Sequence, residues 1–316
     1  LPAPIKKQIV PNIQIVHDRI AVEIMRGCTR GCRFCHAGIV NRPVRQRNPK
    51  DILEAIDLGV KATGYEELSL LSLSSSDHTQ ILDITKAVYE QNKTRRLSVS
   101  LPSLRIESFS VDLMDELKEL RPGGGFTIAP EAATDRMRAV INKPLADEIL
   151  FETVETIFDH GWLNLKMYYM IGLPGERMED VEAILDTARK VQQIGKRRHG
   201  NRIRVHVSIG TFIPKPHTPF QWANSEDPEN VQNKLDFLRE GMRQSKIKLS
   251  YNRPDSTLLE AWLSRGDRRL GQVIERAWQN GAKFDAWDEG FKKEYWYQAF
   301  EESGIDPVFY INRQRE

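Results

Sequence analysis

Met25-Arg26-Gly27-Cys28-Thr29-Arg30-Gly31-Cys32-Arg33-Phe34-Cys35-His36-Ala37-Gly38 holds every cysteine of the 316-residue chain. An odd number of cysteines packed this tightly is not a disulfide framework. Gly27 and Gly31 let the chain turn sharply and bring backbone N–H groups close to a ligand. Arg30 and Arg33 favour thiolates over thiols. Three thiolates on one loop read as a soft-metal site in a reducing compartment, here taken to be the cytoplasm. A structural zinc takes four protein ligands, and the fourth here would be His36, strained because it directly follows Cys35. A [4Fe–4S] cluster on three thiolates leaves one iron open for chemistry, and the lack of any other cysteine favours that choice.

Outward from this loop the chain alternates strands and helices. Residues 17–24, rich in Ile and Val, read as a strand that the loop follows. Asn48-Pro49 opens a helix, with Ile52, Leu53, Ile56 and Leu58 at near-helical spacing and Gly64 as its stop. Strands are expected at 67–73, 96–100, 125–129, 164–170 and 202–208, with helices at 79–91, 111–120, 146–158 and 178–194. Six strand–helix units in regular alternation argue for a parallel sheet in an α/β fold. Unusual residues follow the strand ends each time, as they would if the loops converged on one barrel mouth. The expected organisation is a lead-in over 1–16, the α/β core over 17–216 and a mostly helical extension over 217–316. That extension should hold a short strand near 246–250, and five of the six tryptophans fall in it. They read as core packing.

With 46 Lys and Arg against 44 Asp and Glu, the net charge is +2, too even to point to a polyanionic partner. The local balance differs. From Arg26 to Lys50 there are seven basic residues and no acid, which predicts an anion nearby. No run of apolar residues is long enough for a membrane span. The opening Leu1-Pro-Ala-Pro-Ile5 has no apolar core of a leader peptide, and the expectation is a trimmed chain or a core excised from a longer protein.

Cys28-x3-Cys32-x2-Cys35, with Phe34 before the last cysteine and a strand ahead of the loop, resembles the signature of radical S-adenosylmethionine (SAM) enzymes. The resemblance implies a partial (β/α)6 barrel, a [4Fe–4S] cluster on Cys28, Cys32 and Cys35, and SAM chelated at the open iron. It also implies reductive SAM cleavage to a 5′-deoxyadenosyl radical and an electron donor such as flavodoxin or ferredoxin. Met170-Ile-Gly-Leu-Pro-Gly-Glu176 and residues 212–220 are similar to segments of the MiaB-like and HemN-like branches. Longer stretches, among them 16–35, 70–76, 98–105 and 129–134, are similar to bacterial B12-binding-domain-containing radical SAM proteins. Members of that group carry a cobalamin domain; this chain has no Asp-x-His-x-x-Gly signature, so cobalamin would come from a domain outside it.

The resemblance also nominates SAM contacts. The stretch after the second strand lacks the family's Gly-Gly-Glu, so Ser74, Ser75 and Ser76 stand in for it through hydroxyls or carbonyls; their alternative role is a helix cap. Ser100 and Ser103 are candidates for the ribose and Arg105 for the methionine carboxylate. Glu131 is the candidate for the ammonium or a hydroxyl, with a cap for the next helix as its alternative. Arg138 and Lys143 would face the carboxylate or a substrate phosphate, while Met170 and Gly172 would flank the adenine. Lys166, Tyr168 and Met170 share one strand face, with His206 nearby. No residue declares itself as a required acid or base. RNA or protein is the expected substrate class. A rival reading is a nucleic-acid- or ribosome-associated binding module, with a structural cluster and phosphate contacts from Arg42, Arg45, Arg47, Arg265, Arg268 and Arg269.

Overall fold

The structure, a computed structural model, describes residues 1–312 apart from 14, 96, 102–103, 107–110, 121–123 and 288. Strand β1 (Ile20–Glu23) leads through a two-residue strand β2 (Met25–Arg26) into the cysteine loop. The loop closes with a short helix α1 (His36–Val40) and β3 (Arg45–Gln46), which pairs antiparallel with β2. Helix α2 (Pro49–Thr63) begins where the sequence signals it: the Asn48 side chain accepts from the Lys50 N–H, and Gly64 ends it in the left-handed region.

Then follow β4 (Glu67–Leu71), α3 (Ile81–Asn92), β5 (Ser98–Ser100), α4 (Val111–Leu120), β6 (Phe126–Glu131), α5 (Asp135–Val140) and α6 (Asp147–Asp159). Next come β7 (Asn164–Ile171), α7 (Met178–His199), β8 (Arg204–Thr211), α8 (Pro228–Gln244) and β9 (Lys248–Tyr251). Helices α9 (Pro254–Arg265), α10 (Leu270–Gln279), α11 (Lys293–Glu302) and α12 (Val308–Asn312) complete the chain.

Two parallel sheets, ordered β1-β4-β5 and β6-β7-β8-β9, form the walls of the expected α/β partial barrel. Alternation decides which side chains go where. Ile20, Val22, Leu68, Leu70, Met167, Val205 and Val207 are buried against the helices, among them Ile52 and Ile56 of α2 and Ile184 and Val191 of α7. The opposite faces look onto a cavity of about 630 Å³ lined from both sheets, by Ala21, Ser69, Ser100, Thr127, Ala129 and Tyr168.

The barrel sheet continues past residue 216. Strand β9, expected as part of the extension, pairs in parallel with β8, Ser208 opposite Ser250. Its helix α8 packs Val231, Leu235, Leu238 and Met242 into the barrel core. A lone four-residue strand cannot satisfy its own backbone groups, and the free edge of β8 supplies the partners. A separate apolar core joins α9 to α12. Trp262 and Trp296 are buried there, Trp262 edge-on to Phe300 at 4.9 Å. Trp222, Trp278 and Trp287 are 53%, 61% and 68% exposed, so core packing is wrong for these three. Each lies at a turn or on a helix face with no layer above it.

Candidate functional site

The cysteine loop lies across the carboxyl ends of β6 to β8 and is tied there by its backbone. The Arg33 N–H donates to the Ile141 carbonyl at 3.0 Å. The Asn142 side chain donates to the Gly31 carbonyl at 2.9 Å, and the Phe220 N–H donates to the Arg33 carbonyl at 3.2 Å. Gly27 has φ +87°, and a Cβ there would stand 2.7 Å from the Asn41 carbonyl oxygen, so the loop folds back on itself only with glycine at this position. Phe34 packs beside Met170, Leu173, Phe212 and Phe220 in a small apolar cluster at the strand ends. Sequence reasoning singled out Phe34 but missed Asn142 and Phe220, whose links span more than a hundred residues.

All three thiols are free, Cys32 buried and the other two half-buried. Cys32 Sγ accepts from Arg105 Nη2 at 3.4 Å, and Cys35 Sγ accepts from the Gly38 N–H at 3.3 Å. Burial pushes the Cys35 thiol up, and the neighbouring cysteines and Glu131 add to the shift while the Gly38 N–H opposes it. Among the described residues no three His, Cys, Asp or Glu side chains are placed to hold a single metal ion. The fit to a cluster rests on donor chemistry: three thiols on one glycine-hinged loop, with a guanidinium and an N–H aimed at two of the sulfurs.

Of the nominated SAM contacts, some gather around the loop. Arg105 donates through its backbone N–H to Ser76 Oγ at 3.2 Å, so Ser76, Arg105 and Cys32 form one chain of contacts. Glu131 has φ +68°, unusual for a residue with a side chain. Its carboxylate accepts from Lys143 Nζ at 3.2 Å in a mostly buried pair. Met170 touches the Phe34 cluster, and Ser100 lines the cavity, its hydroxyl donating to the Leu68 carbonyl at 3.4 Å. Ser103 lies outside the described residues.

Other nominated residues already hold partners within the fold. The Ser74 and Ser75 side chains are fully buried. Ser74 Oγ donates to Asp77 and Ser75 Oγ meets Ser72 Oγ at 2.8 Å, so these hydroxyls build the turn. Arg138 is buried away from the mouth, bonded to the Ala132 and Ala133 carbonyls and to Asp135 and Asp147. It braces the turn after β6 rather than facing a ligand. The space a side chain would fill at Gly172 is already taken, with Glu226 Cβ 3.0 Å from the position of an added Cβ. Gly172 thus admits Glu226, whose carboxylate shares Lys234 with buried Glu176. Burial pushes the Glu176 carboxyl up, with Lys234 opposing.

The arginines of the basic run have partners within the fold. Arg26 pairs with Glu23, and Arg30 with Asp77. Arg33, Arg42, Arg45 and Arg47 donate to carbonyls of Val140, Gly38, Asn41 and Glu23. The run folds the loop that carries it. Arg265, another phosphate contact of the rival reading, is buried and holds the Ala223 and Tyr310 carbonyls.

A partial barrel of parallel strands with a three-thiol loop at its carboxyl end is the architecture of an enzyme that works on a cluster-bound cofactor. Residues 22–188 match the radical SAM superfamily, and the chain belongs to it. Membership makes a [4Fe–4S] cluster and SAM the cofactors this core is built to hold. It is 27% identical to an uncharacterised protein of Methanocaldococcus jannaschii over 90% of this chain and 60% of that one. It is 27% identical to the ribosomal protein uS12 methylthiotransferase RimO of Leptospira biflexa over 52% of this chain and 37% of that one. The chain thus spans less than two thirds of each of these relatives.

Among solved structures, the cobalamin- and cluster-bound methyltransferase TsrM of Kitasatospora setae superposes with a TM-score of 0.53 at 14% identity, over 65% of this chain and 38% of that one. Coproporphyrinogen III oxidase (HemN) of Escherichia coli gives 0.52 at 15%, over 72% and 52%. These likenesses show the fold. No described helix is long and apolar enough to cross a membrane.

Proposed function

We propose that the chain is the SAM-cleaving core of an enzyme that modifies RNA or protein, with Cys28, Cys32 and Cys35 as the cluster ligands. The observation that carries the reading is the placement of all three thiols on one loop, pinned by its backbone to the segments that follow β6 and β8. When bound, the cluster and SAM supply reductive cleavage of a carbon–sulfur bond and a 5′-deoxyadenosyl radical that takes a hydrogen atom from substrate. Arg105 and the Gly38 N–H donate to the Cys32 and Cys35 sulfurs and hold them in place. The Phe34–Met170–Phe212 cluster keeps water from one side of the mouth. Glu131 and Lys143 offer one charge of each sign to the zwitterionic end of SAM.

Relatives that methylthiolate ribosomal protein uS12 or tRNA support a macromolecular substrate. The TsrM likeness makes cobalamin on a domain outside this chain compatible with the fold. A flavodoxin or ferredoxin would supply the electron. The binding-module reading loses support because its arginines at 47 and 265 are buried and bonded.

The test is anaerobic reconstitution with iron and sulfide, reduction, and electron paramagnetic resonance with and without SAM. A [4Fe–4S]⁺ signal that shifts on adding SAM is expected. A cluster signal indifferent to SAM, or zinc bound in its place, would sink the reading.

A further inference from the structure

On the inner face of the second sheet, Lys166 of β7, His206 of β8 and Lys248 of β9 stand in register as one row of three basic side chains. The next row toward the carboxyl ends is Tyr168, Ser208 and Ser250. The two rows are wired together. Lys166 Nζ donates to Tyr168 OH at 2.8 Å, His206 Nε2 meets Ser250 Oγ at 2.9 Å, and Ser250 Oγ meets Ser208 Oγ at 3.2 Å. Tyr168 lines the cavity, and so, on the facing wall, do Arg19 and His17.

No carboxylate lines that cavity among the described residues. Among the described residues none pairs with Lys166 or Lys248, in contrast to Lys143 and Lys234, which pair with Glu131 and Glu176. Glu67, on the same face of β4 as Ser69, is exposed and outside the lining; Glu23 is paired with Arg26. Burial first, then Lys166 and Lys248, lowers the His206 pKa, so the three groups feel one another. Two lysines flanking a histidine with no acid between them repel, an arrangement that an arriving anion relieves.

We propose that this row at the barrel floor binds the anionic group, carboxylate or phosphate, of the substrate. The proposal deepens the function given above, since it treats the cavity as the substrate site. Met170 at the mouth lies four positions beyond Lys166, about 13 Å of extended strand. A substrate anchored at the floor would thus present to SAM a carbon well removed from its anion.

The experiment uses the full chain without SAM or cluster, with phenyl phosphate and phenylacetate as probes and benzyl alcohol as the neutral control. Binding is read by ligand-observed NMR. Saturable binding of at least one anion is expected, and the Lys166→Met/Lys248→Met double variant should bind it about tenfold more weakly or worse. Preference for one probe assigns phosphate or carboxylate. His206→Gln, read the same way, guards against a double variant that fails to fold. Equal affinity in wild type and variants, equal retention of benzyl alcohol, or no saturable anion binding overturns the proposal. Because the assay needs no cluster, its failure beside a SAM-responsive resonance signal removes the floor site alone. Anion binding without that signal removes the radical reading instead.

Discussion

The two basic regions of this protein have opposite fates. The run from Arg26 to Lys50 is dense in sequence and has no acid within it, yet its arginines are engaged by Glu23, Asp77 and backbone carbonyls of the loop, β1 and α5. The row of Lys166, His206 and Lys248 is invisible as a cluster in the sequence, since its members lie on three strands up to 82 positions apart. Folding brings them side by side and gives the lysines no carboxylate. Charge density along a chain therefore measures what a loop needs in order to fold. Charge left without a counter-ion after folding measures what a site can bind.

The comparison can be broken hardest at the mouth. Cys28→Ala, Cys32→Ala and Cys35→Ala should each abolish SAM cleavage, read as 5′-deoxyadenosine formation by the reduced protein. Retained turnover in any one of them would remove that thiol from the ligand set. Gly27→Ala comes next. It forces a side chain into φ +87° and to 2.7 Å from a carbonyl oxygen, at a cost of about 2–4 kcal/mol, seen as a lower urea midpoint. An unchanged midpoint would mean the loop is free to re-form.

A smaller effect separates the two basic regions directly. Arg47→Met deletes a buried guanidinium bonded to the Glu23 carbonyl and should destabilise by about 1.5–3 kcal/mol. Lys166→Met should stay within about 0.5 kcal/mol of wild type, as for a surface charge. Equal losses in the two denaturation curves would erase the distinction between a folding cation and a binding cation.

Much of the framework was legible. The Asn48-Pro49 start of α2, the Gly64 stop and the carboxyl-end position of the cysteine loop follow from local chemistry that needs no partner. Strand β9 was legible as a strand but not as part of the barrel, because its only claim to the sheet is the open edge of β8. For Ser74, Ser75, Arg138 and Gly172 the sequence leaves one thing open. Residue type and position after a strand say that a group is near the mouth, whereas burial and competing partners decide which way it faces. Glu226, from a segment more than fifty residues later, fills the room at Gly172, and no pattern around residue 172 announces it.

The faintest test concerns His78, which links the basic run to the serine turn. It is buried, its Nε2 meeting the Arg47 carbonyl at 3.3 Å and its Nδ1 accepting from the Gln80 N–H at 3.2 Å. Burial lowers its pKa from the ordinary 6.5, the Arg47 carbonyl opposing weakly. Below that ordinary value the unfolded chain takes up a proton that the folded one resists, so stability is lost as pH falls through 6.5 and is fully present above it. A proton on Nδ1 would also remove the acceptor for Gln80. Urea midpoints between about pH 5.5 and pH 7.5 should therefore rise with pH, and His78→Gln should flatten that slope. If the slope is unchanged in His78→Gln, the buried imidazole is not what links the two loops, and His206, shifted the same way at the barrel floor, becomes the group to replace.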